Sequence, residues 1–140
     1  MYRFHLSTPK RQCMLPIDTL VEEAVRTSGV KEGIAMVFIP HTTAAVTINE
    51  NADPDVQHDI LLWLSHTISP RDDFHHREGN SDAHIKSVLT GSSVIVPISE
   101  SKIQLGTWQS IFFCEFDGPR KREVWVQIIP PTWGVDDTTR

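Results

Sequence analysis

The longest alternating stretch of the chain places the strongest constraint on its fold. From Trp108 to Phe116 successive side chains belong to opposite faces, one with Ile111 and Phe113 and the other with Phe112 and Cys114. Asp117-Gly118-Pro119 then turns the chain, and 124–128 alternates again as a return strand. Period-two runs joined by a short turn are typical of antiparallel sheets, so we expect a mainly antiparallel architecture.

Shorter strand-like runs and three helical segments complete the pattern. We count about eight strands, with helices that begin near Asp18, Asp53 and Ser81. The strands do not alternate strictly with the helices, which predicts an α+β fold: a mainly antiparallel, β-sandwich-like sheet with about three helices. We expect one domain over residues 1–140, in which the proline-containing segment 130–140 forms an irregular C-terminal arm.

Two of the predicted helices carry an apolar face that we expect to be buried. In the second helix these residues recur at helical spacing, and in the third they form one side of the segment after Ser81. The second helix contributes Val56, Ile60, Trp63, Leu64 and Ile68, and the third contributes Ile85, Val88 and Leu89.

Length and charge limit the classes of function. A chain of 140 residues buries enough surface to fold without a disulfide or a metal, so Cys13 and Cys114 are expected to be free buried thiols. The formal net charge of −5 argues against duplex nucleic acid as a partner. No apolar run is long enough to span a membrane, and residues 1–6 lack the apolar region of a signal peptide. We therefore expect a cytoplasmic protein with a small-molecule substrate.

A histidine-rich stretch, 74–84, is the first candidate for a functional site. His76 precedes the turn signal Gly79-Asn80, and His84 lies in the first turn of the following helix. His41 stands at the start of a strand predicted over 41–50. Imidazoles gathered in this way form a metal site, a proton-transfer site or an anion pocket, whereas the alternative is a solvated polar loop.

The metal hypothesis requires these three histidines to converge. Three neutral imidazoles with one open position are typical of catalytic zinc, so zinc or another transition metal is favoured. Magnesium prefers oxygen ligands and is expected only together with a phosphate-bearing substrate. The helix N-termini near Asp53 and Ser81 are predicted to flank the same cavity, where a phosphate would be bound favourably.

Carboxylates and one tryptophan extend the candidate site. Glu50 ends a strand and is a candidate general base or oxygen ligand. Trp108, after the flexible Gly106, is able to stack on a heterocycle, although a core tryptophan is the alternative. Glu115 and Asp117 lie on an otherwise apolar strand face, where a buried carboxylate must be functional or paired, with Arg120 or Arg122 as partner.

Several segments in one order carry a resemblance to a known family. The resemblance runs from about residue 10 to residue 129, nearly the whole chain. Its matching segments are His41-Thr42-Thr43-Ala44, Ile48-Asn49-Glu50-Asn51-Ala52-Asp53-Pro54, His76-Arg77-Glu78-Gly79-Asn80, Ala83-His84, Leu105-Gly106-Thr107-Trp108-Gln109 and Glu115-Phe116-Asp117-Gly118-Pro119-Arg120-Lys121-Arg122. In these the chain resembles the YjbQ-type family, later labelled secondary thiamine-phosphate synthase. One departure is Ser101, where relatives usually have a glycine in the turn.

The resemblance implies a compact α+β fold, a homotrimer with pockets near subunit boundaries, and a metal-assisted transferase with a His-lined pocket. The implied side reaction joins a pyrimidine-methyl diphosphate to a thiazole phosphate and releases pyrophosphate. Residue roles follow from the matched segments. The metal ligands would be His41, His76 and His84; the catalytic base would be Glu50 or Glu115; the substrate-binding residues would be Thr43, Asn51, Asn80, Thr107, Trp108, Gln109 and Arg120.

Two other classes of function remain open on sequence grounds. A non-catalytic module that binds a metal or an anion uses the same residue types, and would be stabilised by its ligand without turnover. A structural subunit would tolerate alanine at the histidines.

Overall fold

The computed structural model describes residues 1–131, which form eight strands and three helices. The strands are β1 Tyr2–Ser7, β2 Cys13–Pro16, β3 Gly33–Phe38, β4 Ala44–Glu50, β5 Ser93–Ser99, β6 Lys102–Ile103, β7 Gln109–Glu115 and β8 Lys121–Ile129. The helices are α1 Asp18–Ser28, α2 Pro54–Thr67 and α3 Ser81–Thr90. The predicted single-domain α+β fold is confirmed, while most of the predicted C-terminal arm lies outside the described residues.

The strands form two antiparallel sheets, in agreement with the predicted sandwich-like arrangement. One sheet has the order β1-β8-β3-β5-β6 and the other β2-β7-β4. Strands β7 and β8, which the sequence indicated as a strand and its return, therefore lie in different sheets, and the turn at 117–120 carries the chain between them. Both faces of β7 are apolar and buried, so this strand occupies the centre of its own sheet.

The two faces of the three-stranded sheet border separate cores. Val46 and Phe113 pack with residues of the five-stranded sheet and of α1. On the other face Phe112, Cys114 and Phe116 pack around Ala83 of α3. Both cysteines are free and buried, as predicted, and burial raises the pKa of Cys114 to about 12.

The side of helix α3 that faces the core is opposite to the side predicted. Val88 and Leu89 are 80% and 68% exposed, whereas Asp82 and Lys86 are buried. The Lys86 Nζ lies 3.6 Å from Asp82 Oδ2 and donates to Gln12 Oε1 at 3.2 Å. Since both charges have partners, the helix can bury its polar side.

Helix α2 also departs from the predicted packing. None of its residues is buried, and Trp63 is 62% exposed. A cavity of about 640 Å³ lies beside it, lined in part by Val56, Ile60, Trp63 and Leu64 of the predicted face. The predicted apolar face therefore borders this cavity instead of filling it. None of the helices in the described residues is long and apolar enough to cross a membrane.

The conformation of the turn between β5 and β6 explains why glycine is favoured at the position of Ser101. Glu100 and Ser101 have φ angles of 52° and 65°, so both adopt the left-handed conformation of a tight hairpin turn. A side chain at such a position has a steric cost that glycine avoids.

We predict that Ser101→Gly raises the free energy of unfolding by about 0.5–1 kcal/mol, because it removes this steric cost. Urea denaturation followed by circular dichroism measures the change. Ser93→Gly, at an exposed position in β5, is the matched control and should be destabilising. An equal loss of stability in both variants would contradict the conformational explanation.

Candidate functional site

The candidate site is a polar cleft of about 390 Å³ that three segments of the chain enclose. These segments are the loop before β4, the stretch from His76 to the first turn of α3, and the turn from β7 to β8. We call it the histidine cleft. Its lining residues are Pro40, His41, Thr42, Thr43, His76, Glu78, Asn80, His84, Asp117, Arg120 and Arg122.

Hydrogen bonds hold the three segments together. The Phe116 backbone N–H donates to the Thr43 carbonyl at 3.2 Å, which joins the loop before β4 to the end of β7. The Asn80 amide donates to Asp117 Oδ2 at 2.7 Å, which attaches the start of α3 to the same turn. Asn80 is the N-cap residue of α3, yet its side chain makes no capping bond because it is directed to Asp117 instead.

Two of the three predicted histidines lie against each other. The rings of His76 and His84 are 5.4 Å apart between centroids and nearly perpendicular. His76 Nε2 is 3.8 Å from a carboxylate oxygen of Glu78. The turn at 77–80 therefore brings the two imidazoles to one wall of the cleft, as the sequence pattern predicted.

His41 is held by the backbone of β8. The Glu123 N–H donates to His41 Nε2 at 2.9 Å, which requires a lone pair on that nitrogen and places the proton of a neutral ring on Nδ1. Burial lowers the pKa of His41 and the nearby Arg122 charge lowers it further, although the Glu123 and Glu115 carboxylates oppose this. His41 is therefore kept neutral to a lower pH than an ordinary histidine.

The three imidazoles do not form a complete metal site in their present orientation. Within residues 1–131, no group of three or more His, Cys, Asp or Glu side chains is arranged to hold a metal ion. The acceptor nitrogen of His41 already receives the Glu123 N–H, and a neutral imidazole has only one such nitrogen. His41 would have to release this hydrogen bond before Nε2 became available to a metal.

Arg120 and Asp117 form the charged wall of the cleft. The half-exposed Arg120 donates from Nε to the Asp117 carbonyl at 2.7 Å and from Nη2 to Asp117 Oδ2 at 2.9 Å. Burial raises the pKa of Asp117, but the hydrogen bonds from Asn80 and Arg120 outweigh it and hold that pKa below its usual value. Arg120 has five N–H donors, so these contacts leave others for a ligand.

A buried ion pair lies beneath this wall. Arg122 donates from Nε to Glu115 Oε1 at 2.8 Å and from Nη2 to Glu115 Oε2, and it reaches Thr43 Oγ1 at 2.9 Å. Glu115 also accepts from Thr8 Oγ1 and from the Asp117 N–H, at 2.7 and 3.0 Å. The predicted pairing of these carboxylates with Arg122 and Arg120 is confirmed.

These contacts change the role assigned to Glu115. Its side chain is 0% exposed and does not line the cleft. Burial opposes its charge, but the hydrogen bonds from Arg122, Asp117 and Thr8 lower its pKa. A carboxylate so held is a poor proton acceptor, so Glu115 positions Arg122 and Thr43 instead of serving as the predicted base.

The remaining predicted residues lie elsewhere. Glu50, Thr107, Trp108 and Gln109 line a second concavity of about 480 Å³, which we call the tryptophan cleft. The β4–β7 ladder runs from the Ala44–Glu115 pair near the histidine cleft to the Glu50–Gln109 pair at the tryptophan cleft. These ends are roughly 20 Å apart, because the seven residues of β4 form an extended strand.

The residues predicted to share one pocket are therefore divided between two clefts of the chain. Trp108 is 65% exposed, so the alternative of a core tryptophan is wrong. Asn51 lines neither cleft: its amide donates to Ser110 Oγ at 3.1 Å and its backbone N–H to the Trp108 carbonyl. Because α2 starts beyond the far end of β4, its N-terminus does not share the histidine cleft with that of α3.

Sequence reasoning missed Thr42 and Glu78 as lining residues. Both lie inside the matched family segments, Thr42 between His41 and Thr43 and Glu78 between His76 and Asn80. It also missed the link between Asn80 and Asp117, which joins positions 37 residues apart and left no local signal.

We predict that Arg122→Met is strongly destabilising, by about 3–5 kcal/mol, because it leaves the Glu115 carboxylate buried without its cation. Adding Glu115→Gln in the same chain should recover part of that loss, which a double-mutant cycle in urea measures. Arg71→Met is the control, since the Arg71–Asp73 pair is exposed and its loss should have no measurable effect. If the losses in free energy of unfolding from the Arg122 and Glu115 substitutions simply added in the double variant, the two residues would not be coupled and the prediction would be wrong.

The lowered pKa of His41 predicts a pH dependence of stability. Between its folded pKa and the ordinary value of 6.5 the unfolded chain binds more protons, so the free energy of unfolding falls as the pH is lowered through this interval. His41→Asn removes the titrating group, while the amide oxygen is able to accept the Glu123 N–H. Denaturation between about pH 5 and pH 7 should therefore give a flatter profile for the variant, and an unchanged slope would refute this.

Comparison with known families adds an independent result. The family model described as "UPF0047 protein YjbQ-like" matches residues 2–131. A UPF0047 protein of Methanocaldococcus jannaschii is 53% identical over 129 residues, covering 92% of this chain and 94% of the relative. The UPF0047 protein YugU of Bacillus subtilis is 42% identical over 125 residues, covering 89% and 95%.

Solved structures agree with this assignment. A crystal structure of a YjbQ/UPF0047-family protein from Clostridium acetobutylicum has a TM-score of 0.90 at 52% identity, covering 92% of this chain and 100% of that one. A conserved hypothetical protein of Thermus thermophilus has a TM-score of 0.86 at 39% identity, with 92% and 100% covered. The similarity extends over nearly all of the described residues, and the chain belongs to the UPF0047 family of YjbQ-like proteins.

Proposed function

We propose that the histidine cleft binds the phosphate or other anionic group of a small molecule and that the protein is an enzyme acting on it. One observation carries this proposal: His41, which is distant in sequence from His76 and His84, lines one polar cleft with them and with Arg120. Imidazole and guanidinium groups in one cleft are suited to binding phosphate and to moving a proton at neutral pH.

The chemistry follows from the groups present. Arg120 keeps N–H donors beyond those given to Asp117 and stabilises negative charge as it develops on a leaving phosphate or pyrophosphate. An imidazole of His76 or His84 gives a proton to the departing oxygen, or takes one from the attacking group. Thr43 and Asn80 are held by Arg122 and Asp117 and orient the bound anion.

The family resemblance narrows the reaction to a candidate. Thiamine-phosphate synthase chemistry releases pyrophosphate from a pyrimidine-methyl diphosphate as the thiazole phosphate is alkylated. We propose it as a side activity, since the cleft offers donors for a polyanionic leaving group. Within one chain, the tryptophan cleft lies too far away to hold the same small substrate.

A divalent metal is a further part of the proposal. His76 and His84 would hold it, and zinc or another transition metal suits imidazole ligands better than magnesium does. When bound, the metal would neutralise charge on the phosphate oxygens. His41 joins this pair only if its hydrogen bond from Glu123 is released.

We also propose a cytoplasmic homotrimer that acts on a small molecule and binds neither nucleic acid nor membrane. The large exposed apolar side chains Leu62, Trp63 and Ile95 support self-association, because apolar surface of this kind is commonly buried between subunits. The net charge of −5 supports the exclusion of nucleic acid.

A non-catalytic module that binds a metal or an anion is the second candidate. The observation that favours it is that both predicted bases lie outside the histidine cleft: Glu50 is at the tryptophan cleft, and Glu115 is within a buried ion pair.

We predict that inorganic pyrophosphate binds the purified protein and that His84→Ala and Arg120→Met each weaken this binding at least about tenfold, or 1.4 kcal/mol. Isothermal titration calorimetry measures the affinities. Trp108→Leu, in the other cleft, is the control and should stay within about twofold. If Trp108→Leu alone lost binding, the anion would bind in the tryptophan cleft and the proposal would be wrong.

Turnover separates the two candidates. The protein is incubated with the pyrimidine-methyl diphosphate and the thiazole phosphate, with and without added zinc. The wild type should release pyrophosphate, and His84→Ala should not. Binding without any release from these or other phosphorylated substrates favours the non-catalytic module.

A further inference from the structure

The histidine cleft continues into a second concavity along α3. This space of about 360 Å³ shares three lining residues, His41, Thr42 and His84, with the histidine cleft. Its other lining residues are Ala44, Ser87, Val88, Gly91 and Ser92. Because the shared residues form a common border, a ligand in the cleft can extend into this space, which we call the apolar lobe.

The walls of the apolar lobe differ in chemistry from those of the cleft. His84 and Val88 are one turn apart on α3 and therefore share a face, with Val88 80% exposed. The Ser87 hydroxyl donates to the Ala83 carbonyl at 2.9 Å, so its proton is already used within the helix. A Cβ built on Gly91 would meet nothing within 4 Å, which indicates open space beside it.

Charge is confined to one end of the combined space. Glu78, Asp117, Arg120 and Arg122 all line the histidine cleft, whereas no residue of the apolar lobe other than its two histidines is titratable. A site that is charged at one end and apolar at the other fits a molecule of the same polarity.

We propose that the histidine cleft and the apolar lobe are one elongated site for an organic phosphate, whose anionic group lies in the cleft and whose apolar or aromatic part lies against Val88. The anionic end rests on the proposed function; the apolar end is new. The tryptophan cleft of the same chain cannot hold that part, since it lies roughly 20 Å away along β4.

Two ligands test the two ends separately. Inorganic phosphate reports only the histidine cleft, whereas phenyl phosphate reports both parts, and calorimetry at a pH where both are dianions compares their affinities. Phenyl phosphate should bind about tenfold more tightly, the gain expected when roughly half of the ring surface leaves water.

The variants assign that gain to the apolar lobe. Val88→Ser should reduce the ratio of the two dissociation constants from about ten to below three. Leu89→Ser is the matched control: it is the next residue of α3, is exposed, and lines the cavity beside α2 instead, so the ratio should be unchanged.

The outcomes distinguish this inference from the proposed function. If phosphate binds but phenyl phosphate has no advantage, or the advantage survives Val88→Ser, the apolar lobe is refuted and the anion site stands. If neither ligand binds, the anion site fails and the elongated site fails with it.

Discussion

The buried ion pair between Arg122 and Glu115 is the interaction on which the site depends. It joins β7 to β8 at the point where the chain passes from one sheet to the other, and it extends to Thr43 before β4 and to Thr8 after β1. A charge pair inside a protein is favourable only when its remaining donors and acceptors are satisfied. Here two of the groups that satisfy them, Thr43 and the Asp117 N–H, belong to segments that enclose the histidine cleft, so the pair fixes the relative position of these two segments.

The length of β4 is the second constraint. Residues at its two ends are neighbours of conspicuous polar motifs in the sequence, yet an extended strand of seven residues keeps these motifs apart. Segments from three parts of the chain meet at one end of this strand and form the histidine cleft. Trp108 lies at the other end, on a different surface. The cleft presents imidazoles, guanidinium groups, two carboxylates and short polar side chains.

Local patterns in the sequence were sufficient for the elements of the fold. Alternation identified β7 and β8, and the Asp53-Pro54 signal identified the start of α2, where Asp53 caps the helix as expected. The partners of the strands were not predictable locally, because both faces of β7 are apolar. The side of α3 that faces the core was also missed, since its burial depends on a charge pair between Asp82 and Lys86 that periodicity of apolar residues does not reveal.

For the site, the sequence pattern correctly predicted that the three histidines lie close together, but it did not predict the role of each. The hydrogen bond from Glu123 to His41 and the exclusion of Glu115 from the cleft depend on contacts over long sequence separations. The resemblance to the YjbQ-type family supplied the strongest early assignment of the family and the fold, because it rests on many segments in one order. It did not separate the two clefts, which requires the register of β4 on β7.

The most direct test of an anion site at the histidine cleft is an NMR titration of the seven histidine side chains with pyrophosphate, at constant pH. The account predicts that the imidazole resonances of His41, His76 and His84 shift together with one dissociation constant, while those of His5, His58 and His66 do not move. Shifts confined to the latter three, or none at any histidine at saturating pyrophosphate, would contradict it.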